Sequence, residues 1–488
     1  LNNVYPPRHM TFPESELNYH YGFDLLVSMT AAMTRMRVDH AMDTVTVLCW
    51  GWSFCVAWVI GERVFRARGW IVALALLYGG GYPFWIMPGR TASIADTWWL
   101  GMLVDGGVVN PPLVSYFFQH PWTLGLPVAL SIFLLAAHRA CPNHPRLLVL
   151  GLLFTLLSLS QFTLFLTCAP ALVAQEFFST NGPLKNRIEK VLGGRFSPGA
   201  GLRLALTLVL VLLVTRRLGG FFATTPSHPG PTIVRNWGIT KSLTGSLQWM
   251  ATSFGLVVPL GFMGTALVRR MRIAGFCLIL GGLAVINSFK IVEAWDIVKF
   301  ATVAMIAAGM FTGVVVDRVW SLRRRWLGIP LGIVLLALTI TPGLAIPIPL
   351  AFEYDNKSCT VTRTPPILTG DDDIVATYLR AHMRPGEVVY RGRSAMFQYA
   401  QWAGLPQAWT ERYALPFGYK LWRLDNREFL PAKAPPAAEG YIRENIRWFV
   451  LDPASDILMN KNAAAWIKNG RAREVMTSGP LRVVQLLR

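Results

Sequence analysis

The sequence predicts a mainly α-helical protein, a polytopic transmembrane bundle followed by a small C-terminal extracytoplasmic α/β domain. Three observations predict it. Hydrophobic residues make up 53% of the 488 positions and charged residues only 15%, with a mean hydropathy of +0.40; an ordinary soluble domain carries about 25% charged residues. Apolar runs long enough to cross or nearly cross a bilayer recur along most of the chain. From Asp355 onward the composition becomes that of a soluble domain. The 18 tryptophans fit interfacial belts, where an apolar ring body and a polar N–H each find their medium.

The apolar runs lie at 43–61, 70–88, 121–137, 201–218, 246–268, 273–289, 296–316 and 327–346. The stretch 147–178 is interrupted by Ser158, Ser160 and Gln161. It is too long for one span of about 20 residues, so it reads as a tight hairpin of two short helices and brings the count to about ten crossings. Basic residues orient them. Arg63, Arg66 and Arg68 follow the first run, Arg139 and Arg146 precede the hairpin, and Lys185, Arg187, Lys190 and Arg195 follow it. Arg269, Arg270 and Arg272 separate two later runs, and Arg318, Arg323, Arg324 and Arg325 precede the last. With alternating helices these clusters share one side, which the positive-inside bias makes the cytoplasm. A single helix in place of the hairpin would move the late clusters to the other side.

On this count residues 1–42 and 351–488 lie outside the cytoplasm, flanking a bundle at 43–350. An external N-terminus with no signal peptide after Leu1 predicts an upstream helix, and about eleven spans in the full protein. Within 1–42, Leu25, Leu26, Met29, Met33 and Met36 recur at helical spacing and predict a helix from Phe23 to Met36 lying along the membrane interface. External loops fall at 89–120, with Trp98 and Trp99 at interfacial positions, and at 219–245, rich in Gly, Pro, Thr and Ser. The C-terminal region predicts helices at 371–383 and 463–468 and strands at 387–390, 447–451 and 481–487.

The net charge of +19 arises from short clusters between apolar runs, with no continuous basic stripe, which argues against nucleic acid as a partner. The six cysteines lie mostly in apolar stretches without C-x-x-C spacing and read as small buried hydrophobes. No Walker A loop, G-x-S-x-G, H-E-x-x-H or dinucleotide-binding G-x-G-x-x-G is present.

Two clusters could carry chemistry. The first is Glu14, Glu16, His20 and Asp24; in a helix starting near Tyr19, His20 and Asp24 share a face. A carboxylate there could act as general base toward an acceptor hydroxyl, or hold a divalent cation (Mg or Mn) beside a lipid phosphate. The plain alternative is that the glutamates are solvated loop charges and Asp24 pairs with His20 or caps a helix. The second cluster is Lys290, Glu293, Asp296 and Lys299. Ionisable groups this close to an apolar core default to a functional reading, and the two lysines could receive the phosphates of a lipid-linked donor. The alternative is snorkelling lysines paired with Glu293 and Asp296. Asp96, Asp105 and His120 are weaker candidates, and Arg235 and Lys241 could also contact phosphate.

The strings Asn18-Tyr-His-Tyr-Gly-Phe-Asp-Leu-Leu26, Gln119-His-Pro-Trp-Thr-Leu-Gly-Leu-Pro127 and Trp295-Asp-Ile-Val-Lys-Phe300 are similar to segments of bacterial membrane proteins of the GT-C glycosyltransferase superfamily. The layout resembles that family along nearly the whole chain: a multi-span bundle, a large first external loop with interfacial helices, and a C-terminal external domain. The resemblance implies a bacterial inner-membrane enzyme that transfers a sugar from a polyprenyl-phosphate donor at the external face. It implies an acidic base in the first external loop, for which Asp24, Glu14 and Glu16 are the candidates, and basic residues holding the donor phosphate, for which Lys290 and Lys299 are offered. No Asp-Asp or Asp-Glu pair occurs in 1–42, which departs from the family pattern. The competing readings are an accessory or scaffolding subunit of a membrane protein complex, and a transporter. The near absence of charge inside the runs disfavours transport.

Overall fold

A computed structural model describes residues 20–81, 112, 120–138, 143–178, 198–218, 233–236, 242–291, 295–344, 370–384, 387–391, 438–443, 445–452 and 457–487. Glu14, Glu16, Asp96, Asp105, Lys241, Glu293 and nearly all of the two external loops lie outside these residues. The chain forms two units, a helical one (His20–Arg217 with Thr232–Arg363) and one that includes Thr364–Arg488.

In the helical unit α1 spans Gly22–Thr34, α2 Val38–Val59, α3 Gly69–Tyr78, α4 His120–Ala137, α5 Asn143–Ser160, α6 Phe162–Phe178 and α7 Pro198–Leu218. After the short strand β1 (Ile233–Arg235) come α8 Leu243–Phe254, α9 Val257–Leu267 and α10 Arg272–Ser288. Strand β2 (Phe289–Ile291) and a 3-10 turn, Trp295–Val298, lead into α11 Lys299–Trp320 and α12 Arg325–Leu344. Among the described residues three helices are long and apolar enough to cross a membrane, His40–Phe65, Lys299–Trp320 and Arg325–Leu344, and shorter apolar helices of 10–17 residues accompany them.

The hairpin read from 147–178 is present. Phe154 and Phe165 stack edge to face at 5.8 Å between centroids, where eleven residues of straight helix would separate them by about 16 Å. The Arg146–Glu176 ion pair closes the open end. Two other runs end differently from expectation. The run 246–268 breaks into α8 and α9 at Gly255, whose φ of 51° suits a residue without Cβ. The helix expected over 70–88 stops at Tyr78, where Gly79-Gly80-Gly81 supplies no side chain to favour its continuation; the Gly80 amide donates to the Thr339 carbonyl instead.

Helix α11 is the axis of this unit, buried along almost its whole length and packed by α3, α9, α10 and α12. Small residues let the backbones close, as expected where packing and not hydrophobic expulsion must hold helices together. A Cβ on Gly313 would stand 2.6 Å from the Val72 Cα, and one on Gly261 2.7 Å from the Ala308 Cα.

Side-chain bridges gather the basic connections at one end. Arg68 pairs with Asp317 at 2.9 Å and reaches Ser321, joining the start of α3 to the end of α11. Gln175, near the end of α6, accepts from the Ile273 and Ala274 amides at the start of α10. The Arg146–Glu176 pair and the contact of Gly275 with the Phe311 ring complete the set. Consequently the apex between α5 and α6, and the end of α10, lie at the opposite end.

The second unit holds a four-stranded sheet in the order β3-β4-β6-β5, from β3 (Val388–Arg391), β4 (Ile446–Leu451), β5 (Ala472–Ser478) and β6 (Leu481–Leu486). β3 and β4 are parallel and the other pairs antiparallel. Strand alternation divides the apolar residues between two faces. Val388, Tyr390, Phe449, Leu451 and Val484 pack with α14 (Ala438–Arg443) and α15 (Ile457–Lys468). Val389, Trp448, Val450 and Val483 pack with Val375, Ala376 and Leu379 of α13 (Gly370–His382). Arg391 shares the second face and is buried against Asp372 of α13 at 3.3 Å.

Candidate functional site

The end of the helical unit opposite the basic connections carries the candidate residues that the structure describes. His20 is buried just before α1, and its Nδ1 accepts from the Phe162 amide at 3.3 Å, at the α5–α6 apex. The next residue, Tyr21, donates its amide to the Leu159 carbonyl at 3.0 Å. Asp24 lies in the first turn of α1 with its side chain exposed. Across the same helix Phe23 and Val27 are buried while Met29 and Met33 face outward.

The basic candidates sit where α10 ends and α11 begins. α6 and α10 are neighbours running in opposite senses, so the start of α6 beside His20 and the end of α10 share one end. β1 and β2 form an antiparallel ribbon in which Val234 opposes Lys290 and Arg235 opposes Phe289. Arg235 and Lys290 are exposed and project from alternate faces of this ribbon. Ile233 and Phe289 are also exposed, so the ribbon presents apolar side chains beside its cations. Lys299 opens α11, which has no side-chain cap. The 3-10 turn Trp295–Val298 runs directly into it, so Lys299 stands at the junction of the two helices. The structure thus brings Asp24, Arg235, Lys290 and Lys299 to one end of the unit.

Sequence reasoning gave Gln161 only the role of an interruption. Its side chain is fully buried, and its Oε1 accepts from the Thr163 amide and hydroxyl, capping the first turn of α6. Because a backbone N–H only donates, the atom it meets is the amide oxygen, which fixes the orientation of the group. Its Nε2 has no hydrogen-bond partner among the described residues. The legible signal was a polar residue between two apolar runs, where a helix break needs an acceptor. Among the described residues no group of three or more His, Cys, Asp or Glu is placed to hold a metal ion.

No protein-family model matches the chain, and no curated protein matches it. Solved structures do. ArnT from Cupriavidus metallidurans in the apo state matches with a TM-score of 0.50 and 13% identity, over 98% of this chain and 89% of that one. The same protein bound to undecaprenyl phosphate matches with a TM-score of 0.50 and 11% identity, over 98% and 90%. An oligosaccharyltransferase from Archaeoglobus fulgidus, tethered to an acceptor peptide, gives a TM-score of 0.45 at 10% identity over 91% and 61%, too slight a likeness to argue from. These identities speak for the fold alone, which this chain shares with ArnT along nearly all its length.

Proposed function

We propose that this protein is a GT-C glycosyltransferase of the bacterial inner membrane that moves a sugar from a polyprenyl-phosphate-linked donor to an acceptor at the external face. The observation that carries the reading is the fold it shares with ArnT, a protein solved with undecaprenyl phosphate bound. The basic end of the helical unit is then cytoplasmic by the positive-inside bias, and residues 1–42 and 351–488 are extracytoplasmic.

In this reading Asp24 accepts the proton of the acceptor hydroxyl as that oxygen attacks the anomeric carbon, and the polyprenyl phosphate leaves with the bonding electron pair. Lys290, Lys299, Arg235 and Lys241 are the candidates for stabilising the negative charge of the leaving phosphate. Glu14 and Glu16 are the alternative carboxylates. A divalent cation, if one is used, would be held by Asp24, Glu14 or Glu16 and would offset the negative charge of the donor phosphate.

The test is turnover of polyprenyl-phosphate sugars by purified protein in nanodiscs made with lipid from its source membrane, read by mass spectrometry. Wild type should consume the donor, and Asp24→Asn should lose at least about 100-fold in rate while keeping its melting temperature. Full activity in Asp24→Asn removes Asp24 from the mechanism. Stoichiometric protein partners in place of any such lipid would support a scaffolding subunit.

A further inference from the structure

We infer that His20 is a positioning residue: it seats the start of α1, and with it Asp24, on the break between α5 and α6. The inference rests on the reading of Asp24 as the base. Three successive residues carry it. The Phe162 amide, in the first turn of α6, donates to His20 Nδ1. Nδ1 is therefore the unprotonated ring nitrogen, and the ring carries its proton on Nε2. Tyr21 extends the contact through its amide to the Leu159 carbonyl. Gly22 finishes it, since a Cβ there would stand 2.6 Å from Ser160 Oγ and 3.2 Å from the Leu159 carbonyl carbon.

Residues 20–22 thus lie against residues 159–162 with little freedom, and Asp24 follows within the first turn of the helix so fixed. The seat itself is rigid for a separate reason. Gln161, clamped to Thr163 and lying 2.5 Å from where a Gly125 Cβ would be, ties the break to α4 as well. A chain that enters its helix from an anchored start holds the next turn's side chains in place. A displaced base loses rate without losing substrate.

The readouts are transfer kinetics and hydrogen exchange on the intact protein in nanodiscs. His20→Ala should lower kcat about 10- to 100-fold with KM for the donor little changed, the size expected when a reacting group is misplaced by about 1 Å. Amides of residues 20–25 and 159–163 should exchange faster in that variant, and those of α10 and α11 at the wild-type rate. His20→Asn puts an acceptor oxygen where Nδ1 stands and should restore most of the rate. His20→Gln places its oxygen farther out and should not. Gly22→Ala, which acts on the same seat through the backbone, should reproduce the His20→Ala exchange pattern and guards against misfolding of any one variant. Unchanged exchange around residues 159–163 in His20→Ala overturns the seat. A His20→Asn variant as slow as His20→Ala, with wild-type exchange, would show that the imidazole meets substrate directly and overturns it too. Absence of transfer by the wild-type protein would instead overturn the glycosyltransferase reading, and with it the catalytic purpose of the seat.

Discussion

Tyr441 shows how much one buried polar atom can govern. Its ring is fully buried among Phe449 and Trp466, and its hydroxyl has no hydrogen-bond partner among the described residues. Burial, reinforced by Tyr390, pushes the phenol above its usual range. The folded state therefore resists ionisation of a group that ionises freely once unfolded, near pH 10. Stability from this group is complete below that pH and falls as pH rises toward the folded value. Tyr441→Phe is expected to be neutral or mildly stabilising at pH 7, because no partner is abandoned, and to flatten the loss between pH 9 and about 11. Hydrogen exchange of the β4 amides across that range checks it. The residue scale is also where the sequence was least legible. Asp24 and His20 were both singled out, but as a pair on one face. One partner of His20 is the amide of Phe162, far along the chain, and no spacing rule reaches that far. Lys290 and Arg235 were noted separately. Their ribbon, three residues a side, is too short to announce itself as a strand pair.

At the scale of elements, adjacent glycines in α10 make a clean contrast. A Cβ on Gly281 would meet nothing within 4 Å, whereas one on Gly282 would stand 2.5 Å from the Phe300 carbonyl oxygen and 2.9 Å from the Ala304 Cβ. Gly281→Ala is expected to leave stability unchanged or raise it by about 0.4–1 kcal/mol through the unfolded chain. Gly282→Ala should push α10 from α11 and lower it by about 1–3 kcal/mol. Melting of the two variants in the same detergent decides the matter; equal melting temperatures would contradict the close α10–α11 packing. The length of apolar runs located the long helices because their lipid-facing and core-facing residues are alike in character. The hairpin was legible because 147–178 exceeds one span. The Gly255 break was not, because Thr252, Ser253 and Gly255 are too few to separate two runs in a stretch that is otherwise long enough for one span. In the α/β unit α13, β4 and β6 were legible from buried alternation or an acidic first turn. Strand β5 was missed because only Ala472 of its residues, Ala472–Ser478, is fully buried and Arg473 and Glu474 interrupt the pattern.

For the whole molecule, the arrangement of charge is the main statement. Bridges from Arg68, Arg146 and Gln175 bring the basic connections to one end of the helical unit. The candidate acid and cations occupy the other. Under the proposed function that asymmetry would set orientation, with the end bearing Asp24 outward, where a polyprenyl-phosphate donor would present its sugar. The direct measurement is native mass spectrometry of the gently solubilised protein from its source membrane. The account predicts a bound polyprenyl phosphate or its sugar-linked form, displaced in a variant with Lys290 and Lys299 both changed to Ala. A protein that carries only bulk phospholipid, and that takes up no polyprenyl phosphate when it is supplied, would contradict it.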